Sequence, residues 1–84
     1  MKIFYHPRFK ESYRKLTPDI QKKAEGREKI FRQNPFDPRL DTHKLHGKLK
    51  KQWSFSIDKR NRILFEFDES DVIFLDIGDH DLYR

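Results

Sequence analysis

The 84-residue sequence predicts an α+β domain, in which an N-terminal helical hairpin packs on a mainly antiparallel four-stranded sheet in the order β-α-α-β-β-β. Three observations carry this. A short apolar alternation opens the chain; apolar residues then recur at helical spacing across residues 7–33; three closely spaced segments after residue 52 alternate with period two. A chain this short forms one domain, residues 1–84, whose small core must be dense in large side chains. Eight Phe, three Tyr and one Trp supply that bulk.

The first strand spans Lys2 to Tyr5, with Ile3 and Tyr5 on one face and Phe4 on the other. Pro7 suits the first turn of a helix, where a missing N–H is no loss. Phe9, Tyr13 and Leu16 then form an amphipathic stripe. Thr17-Pro18 stops that helix and starts the next, with Thr17 as cap and Pro18 at the first helical position. Ile20, Ala24, Arg27 and Phe31, with Ile30 beside them, give the second helix its inner face. Gly26 costs about 1 kcal/mol there relative to Ala, which predicts a close helix–helix approach. Asn34-Pro35 ends the helix.

Residues 35–51 form one long basic connection, pinned to the core by Phe36, Leu40 and Leu45. Its length points to function. A meander follows: Trp53, Phe55 and Ile57 alternate with Ser54 and Ser56; Ile63, Phe65 and Phe67 with Arg62, Leu64 and Glu66; Ile73, Leu75 and Ile77 with Val72, Phe74 and Asp76. The links after Asp58 and Asp68 are hairpin-short. One face of the meander is apolar and takes the helices. The other carries Ser54, Ser56, Arg62, Glu66 and Asp76, with Leu64, Val72 and Phe74 between them, and is the expected binding groove.

The chain has no cysteine, which excludes disulfides and thiolate metal sites. No apolar run exceeds Ile63-Leu64-Phe65, and residues 1–7 lack a signal-peptide apolar region, so the expectation is a soluble cytoplasmic protein that meets no membrane. Nineteen Lys and Arg against fourteen Asp and Glu give a net charge of +5. Lys44, Lys48, Lys50 and Lys51 cluster with His46 in the long connection, while Asp68, Glu69, Asp71, Asp76, Asp79 and Asp81 gather late. Such a split suits a polyanionic partner on one face, with the lysine cluster and His46 as RNA-binding candidates.

Among groups that could do chemistry, His43 and His46 sit three apart, and His80 follows Gly78. Their spacing matches no familiar metal motif, and the three glycines form no phosphate loop. Cleavage of RNA through its own 2′-hydroxyl needs a base, an acid and cations on the phosphorane. His43, His80, Arg62 and the lysine cluster supply those types without a metal or cofactor. On types alone, histidines that merely meet backbone or solvent remain the blander and favoured reading.

The ordered pieces Asn34-Pro35-Phe36-Asp37-Pro38-Arg39-Leu40, His43-Lys44-Leu45-His46-Gly47, Trp53-Ser54-Phe55-Ser56-Ile57, Asn61-Arg62-Ile63-Leu64-Phe65 and Leu75 through Arg84 together resemble the RelE/ParE superfamily of toxins over essentially the whole chain. That resemblance implies the toxin of a type II toxin–antitoxin system. RelE- and YafQ-like members are endoribonucleases that cut mRNA on the ribosome; ParE-like members poison DNA gyrase; a non-catalytic RNA-binding member is the third reading. The resemblance places His43 and His80 at YafQ-like catalytic histidines, Arg62 at a RelE-like phosphate-contacting arginine, and Tyr83 near an aromatic C-terminal position. Ile57 and Asn61 stand where a further histidine and an aspartate are expected. It also implies a cognate antitoxin whose disordered segment folds on the toxin.

Overall fold

The computed structural model describes residues 1–47, 51–79 and 82. Its elements are β1 (Ile3–Tyr5), α1 (Pro7–Arg14), α2 (Pro18–Gln33), a single 3-10 turn (Pro38–Leu40), β2 (His43–Lys44), β3 (Trp53–Ser56), β4 (Arg62–Asp68) and β5 (Asp71–Gly78). The class is the expected α+β, but the sheet has five strands rather than four, ordered β1-β5-β4-β3-β2. The addition is β2, two residues of the long connection that pair antiparallel with β3, His43 opposite Ser54 and Lys44 opposite Trp53. Two residues leave almost no periodic signal. β1 joins β5 in parallel, the helical hairpin providing the crossover that a parallel pair needs.

α1 starts at Pro7 with His6 as its cap, the Arg8 backbone N–H donating to His6 Nδ1 at 3.0 Å. Thr17 holds the cap position of α2, but its side chain makes no capping bond. The helices are tied instead by Gln21, whose Nε2 donates to the Tyr13 carbonyl at 2.8 Å. Gly26 does not mark a close approach. A Cβ there would meet nothing within 4 Å, and the residue faces an open basin lined by Lys23, Arg27, Arg39 and Lys59.

Phe31 of α2 is fully buried, stacked on Phe55 at 4.7 Å and edge-on to Phe65 at 5.0 Å and Phe74 at 5.5 Å. Phe9 of α1 reaches Phe74 at 5.5 Å. Such ring pairs add about 0.5–1.5 kcal/mol each beyond area burial. Leu40 is fully buried, as its pinning role requires, whereas Phe36 is 54% exposed and packs on Trp53 and Phe67 at the end of the sheet.

The alternation of β5 differs from the sequence reading. A register shift between Leu64 and Phe65 pairs Phe65 with Phe74 and Leu64 with Asp76, leaving Leu75 as the extra residue. Val72 and Phe74 are therefore core residues, and Ile73 and Leu75 are only partly buried. Strict period two assigned those four to the wrong faces; a bulge, which inserts one residue, inverts the pattern on one side of it. The β3–β4 link closes on Asp58, which accepts from the Arg60 and Asn61 N–H groups at 2.8 and 2.7 Å. Burial raises this carboxyl, but those bonds outweigh it and hold it below its ordinary value. Among the described residues no helix is long and apolar enough to cross a membrane.

Candidate active site

The sheet face away from the helical hairpin carries one row of side chains set by register: His43 on β2, Ser54 on β3, Leu64 on β4 and Asp76 on β5. Arg62 lies two residues before Leu64 on the same face. Its guanidinium reaches across to β3, placing Nη1 3.5 Å from Ser54 Oγ. His43 Nε2 approaches the same oxygen at 3.5 Å. Covered from both sides, Ser54 is the fully buried polar residue of the sheet.

Asp41 organises the pair. It ends the 3-10 turn in the left-handed region, φ 50°, ψ 46°, which short polar side chains tolerate. Its carbonyl sits 3.1 Å from His43 Nδ1, and its carboxylate accepts from Arg62 Nη2 at 3.0 Å. A carbonyl can only accept, so His43 carries its proton on Nδ1 and presents Nε2 as an acceptor. One loop residue thus sets the tautomer of the histidine and the position of the guanidinium.

Beside this cluster, a groove of about 320 Å³ is lined by His6, Arg8, Gln52, Leu64, Leu75, Asp76 and Leu82. Ser12 Oγ donates to Asp76 Oδ1 at 2.6 Å, fixing α1 against that rim.

No family model and no curated protein matches the sequence, but solved structures do. The YoeB/ParE toxin from Agrobacterium tumefaciens superposes with a TM-score of 0.81 at 16% identity, over 95% of this chain and 99% of that one. YafQ from E. coli strain BL21(DE3) gives 0.81 at 13%, over 98% and 96%. The YoeB of a YoeB–YefM complex from Staphylococcus aureus gives 0.77 at 19%, over 95% and 97%. The chain has the RelE/ParE toxin fold.

Within that fold, His43 and Arg62 come together around Ser54, on the open face where the alternation put Arg62. His80 and Tyr83 lie outside the described residues, as do Lys48 and Lys50. The basic candidates do not gather at the cluster. Lys44 alternates with His43 and pairs with Trp53, so it sits on the opposite face. His46 and Lys51 are exposed, and neither bonds to the cluster. Asp41 was missed, and Ser54 was read only as a face residue. The available signal was Asp41-Thr42-His43 directly after a Pro-initiated turn, a short polar residue poised to enter the left-handed region two positions before a histidine.

Proposed function

We propose that this chain is the toxin of a type II toxin–antitoxin system, a metal-independent endoribonuclease that cuts mRNA on the ribosome. The observation that supports this best is the His43–Ser54–Arg62–Asp41 cluster on the open sheet face. His43 Nε2 is an acceptor and can take the proton of an RNA 2′-hydroxyl. The resulting 2′-oxygen attacks the adjacent phosphorus, and Arg62 meets the charge that develops on the phosphoryl oxygens. The bond to the 5′-oxygen then breaks, leaving a 2′,3′-cyclic phosphate. His80, which the sequence places just after β5, serves as the acid for the departing 5′-oxygen, and Tyr83 belongs to the same site. Lys44, His46, Lys48, Lys50 and Lys51 serve as cations along the rest of the RNA.

A protein antitoxin is the proposed partner. The structure with a similar fold from Staphylococcus aureus is a YoeB–YefM complex, a heterotetrameric toxin–antitoxin assembly. Expressed alone, the chain should arrest translation and leave mRNA fragments, and Arg62→Ala or His43→Ala should restore growth. Double-strand DNA breaks with intact mRNA would instead identify a gyrase poison and overturn the nuclease reading.

A further inference from the structure

We infer that the groove beside the His43–Ser54–Arg62 cluster is a nucleobase site in which Gln52 selects bases bearing an exocyclic amino group. This rests on the proposed RNA cleavage for the identity of the ligand. Leu64, Leu75 and Leu82 supply three apolar side chains of the groove, and Arg8, Gln52 and Asp76 supply polar ones. Its volume, about 320 Å³, sits at the small end of ligand sites, which run from roughly 300 to 1,000 Å³. An apolar surface with a few directed polar groups suits an unstacked base, which RNA-binding proteins stack and read along its hydrogen-bonding edge.

Gln52 carries the selectivity. Among the described residues, its Oε1 is the buried side-chain oxygen without a hydrogen-bond partner. Buried acceptors are nearly always satisfied, and one left open in a groove is completed by a donor that arrives with a ligand. The backbone is held for this purpose: the Leu45 N–H donates to the Gln52 carbonyl at 2.8 Å, just where β3 begins. Gln52 precedes Ser54 by two residues, so its amide and the phosphate cluster share a face about 6.6 Å apart along the strand. Leu64 pairs directly with Ser54, so the groove begins one strand from the cluster. A nucleotide whose phosphate meets Arg62 can thus place a neighbouring base against the leucines. Adenine, cytosine and guanine each offer an amino hydrogen to Oε1. Uracil offers a carbonyl there, and two acceptors facing each other are rejected.

Non-cleavable RNA trinucleotides with 2′-O-methyl groups, differing only in whether one base is A, C, G or U, test this by titration followed by NMR. The Gln52 side-chain amide and the methyls of Leu64, Leu75 and Leu82 should shift with A, C and G, and U should bind about tenfold more weakly. Gln52→Leu should bind all four alike and melt no lower than the parent, because Oε1 has no bond to lose. Gln52→Glu keeps the acceptor and should keep the preference, which guards against a fold defect in the first variant. Equal binding of all four by the parent, a preference that survives Gln52→Leu, or shifts confined to other residues would overturn the assignment. Binding alone is read, so a chain that proves not to cut mRNA overturns the proposed activity without altering this result.

Discussion

Asp41 does two separable jobs, one through its carbonyl and one through its carboxylate. Its side chain is 70% exposed and that of Arg62 26% exposed, so the ion pair contributes at most about 1 kcal/mol to stability. In the free protein, however, the carboxylate holds the guanidinium that a phosphate would have to recruit. Asn tolerates the left-handed conformation and leaves the carbonyl on His43 in place. Asp41→Asn should therefore melt like the parent, bind RNA more tightly at low salt, and cut it more slowly because Arg62 is no longer positioned. Filter binding beside a cleavage time course checks the split; a rate equal to that of the parent would show that the carboxylate has no positioning role. This arrangement was not visible in the linear sequence. The left-handed geometry of Asp41 and the pairing of His43 with Ser54 exist only once the 3-10 turn and the two-residue β2 have formed.

At the level of elements, most of the chain was legible and two features were not. Pro7 and Pro18 mark both helix starts, and the stripes through Phe9 and Phe31 identify the faces that meet the sheet. The face of β5 was misread because periodicity carries no sign of a bulge: Val72 and Phe74 look interchangeable with Ile73 and Leu75 until pairing with Phe65 decides which go inward. Gly26 was misread for a different reason. Glycine in a helix suggests close packing, yet this one faces the open basin. Gly26→Ala should then gain about 1 kcal/mol of helix propensity with nothing to displace. For a domain of this size that is a rise of roughly 4–8 °C in melting temperature. A fall measured by thermal denaturation would restore the close approach that the sequence suggested.

For the whole molecule, chain order was enough to read the fold, since strand, helical hairpin and meander admit few arrangements once the crossover is right-handed. The site was legible in part. Arg62 and His43 could be paired because alternation and the loop's return to the sheet bring them to one face, while Lys44 could not be excluded from that face before β2 was known. The net charge of +5 draws the molecule to RNA without locating the chemistry, which lies in the four residues around Ser54. The central claim is that those residues activate the RNA's own 2′-hydroxyl. It is tested most directly in a purified translation system, using an mRNA with a single 2′-deoxy substitution at the nucleotide preceding the mapped cut. The account predicts that the unsubstituted mRNA is cut to a 2′,3′-cyclic phosphate, that the substituted one stays intact at that bond, and that His43→Ala cuts neither. Cleavage of the deoxy-substituted bond at the parent rate would contradict it.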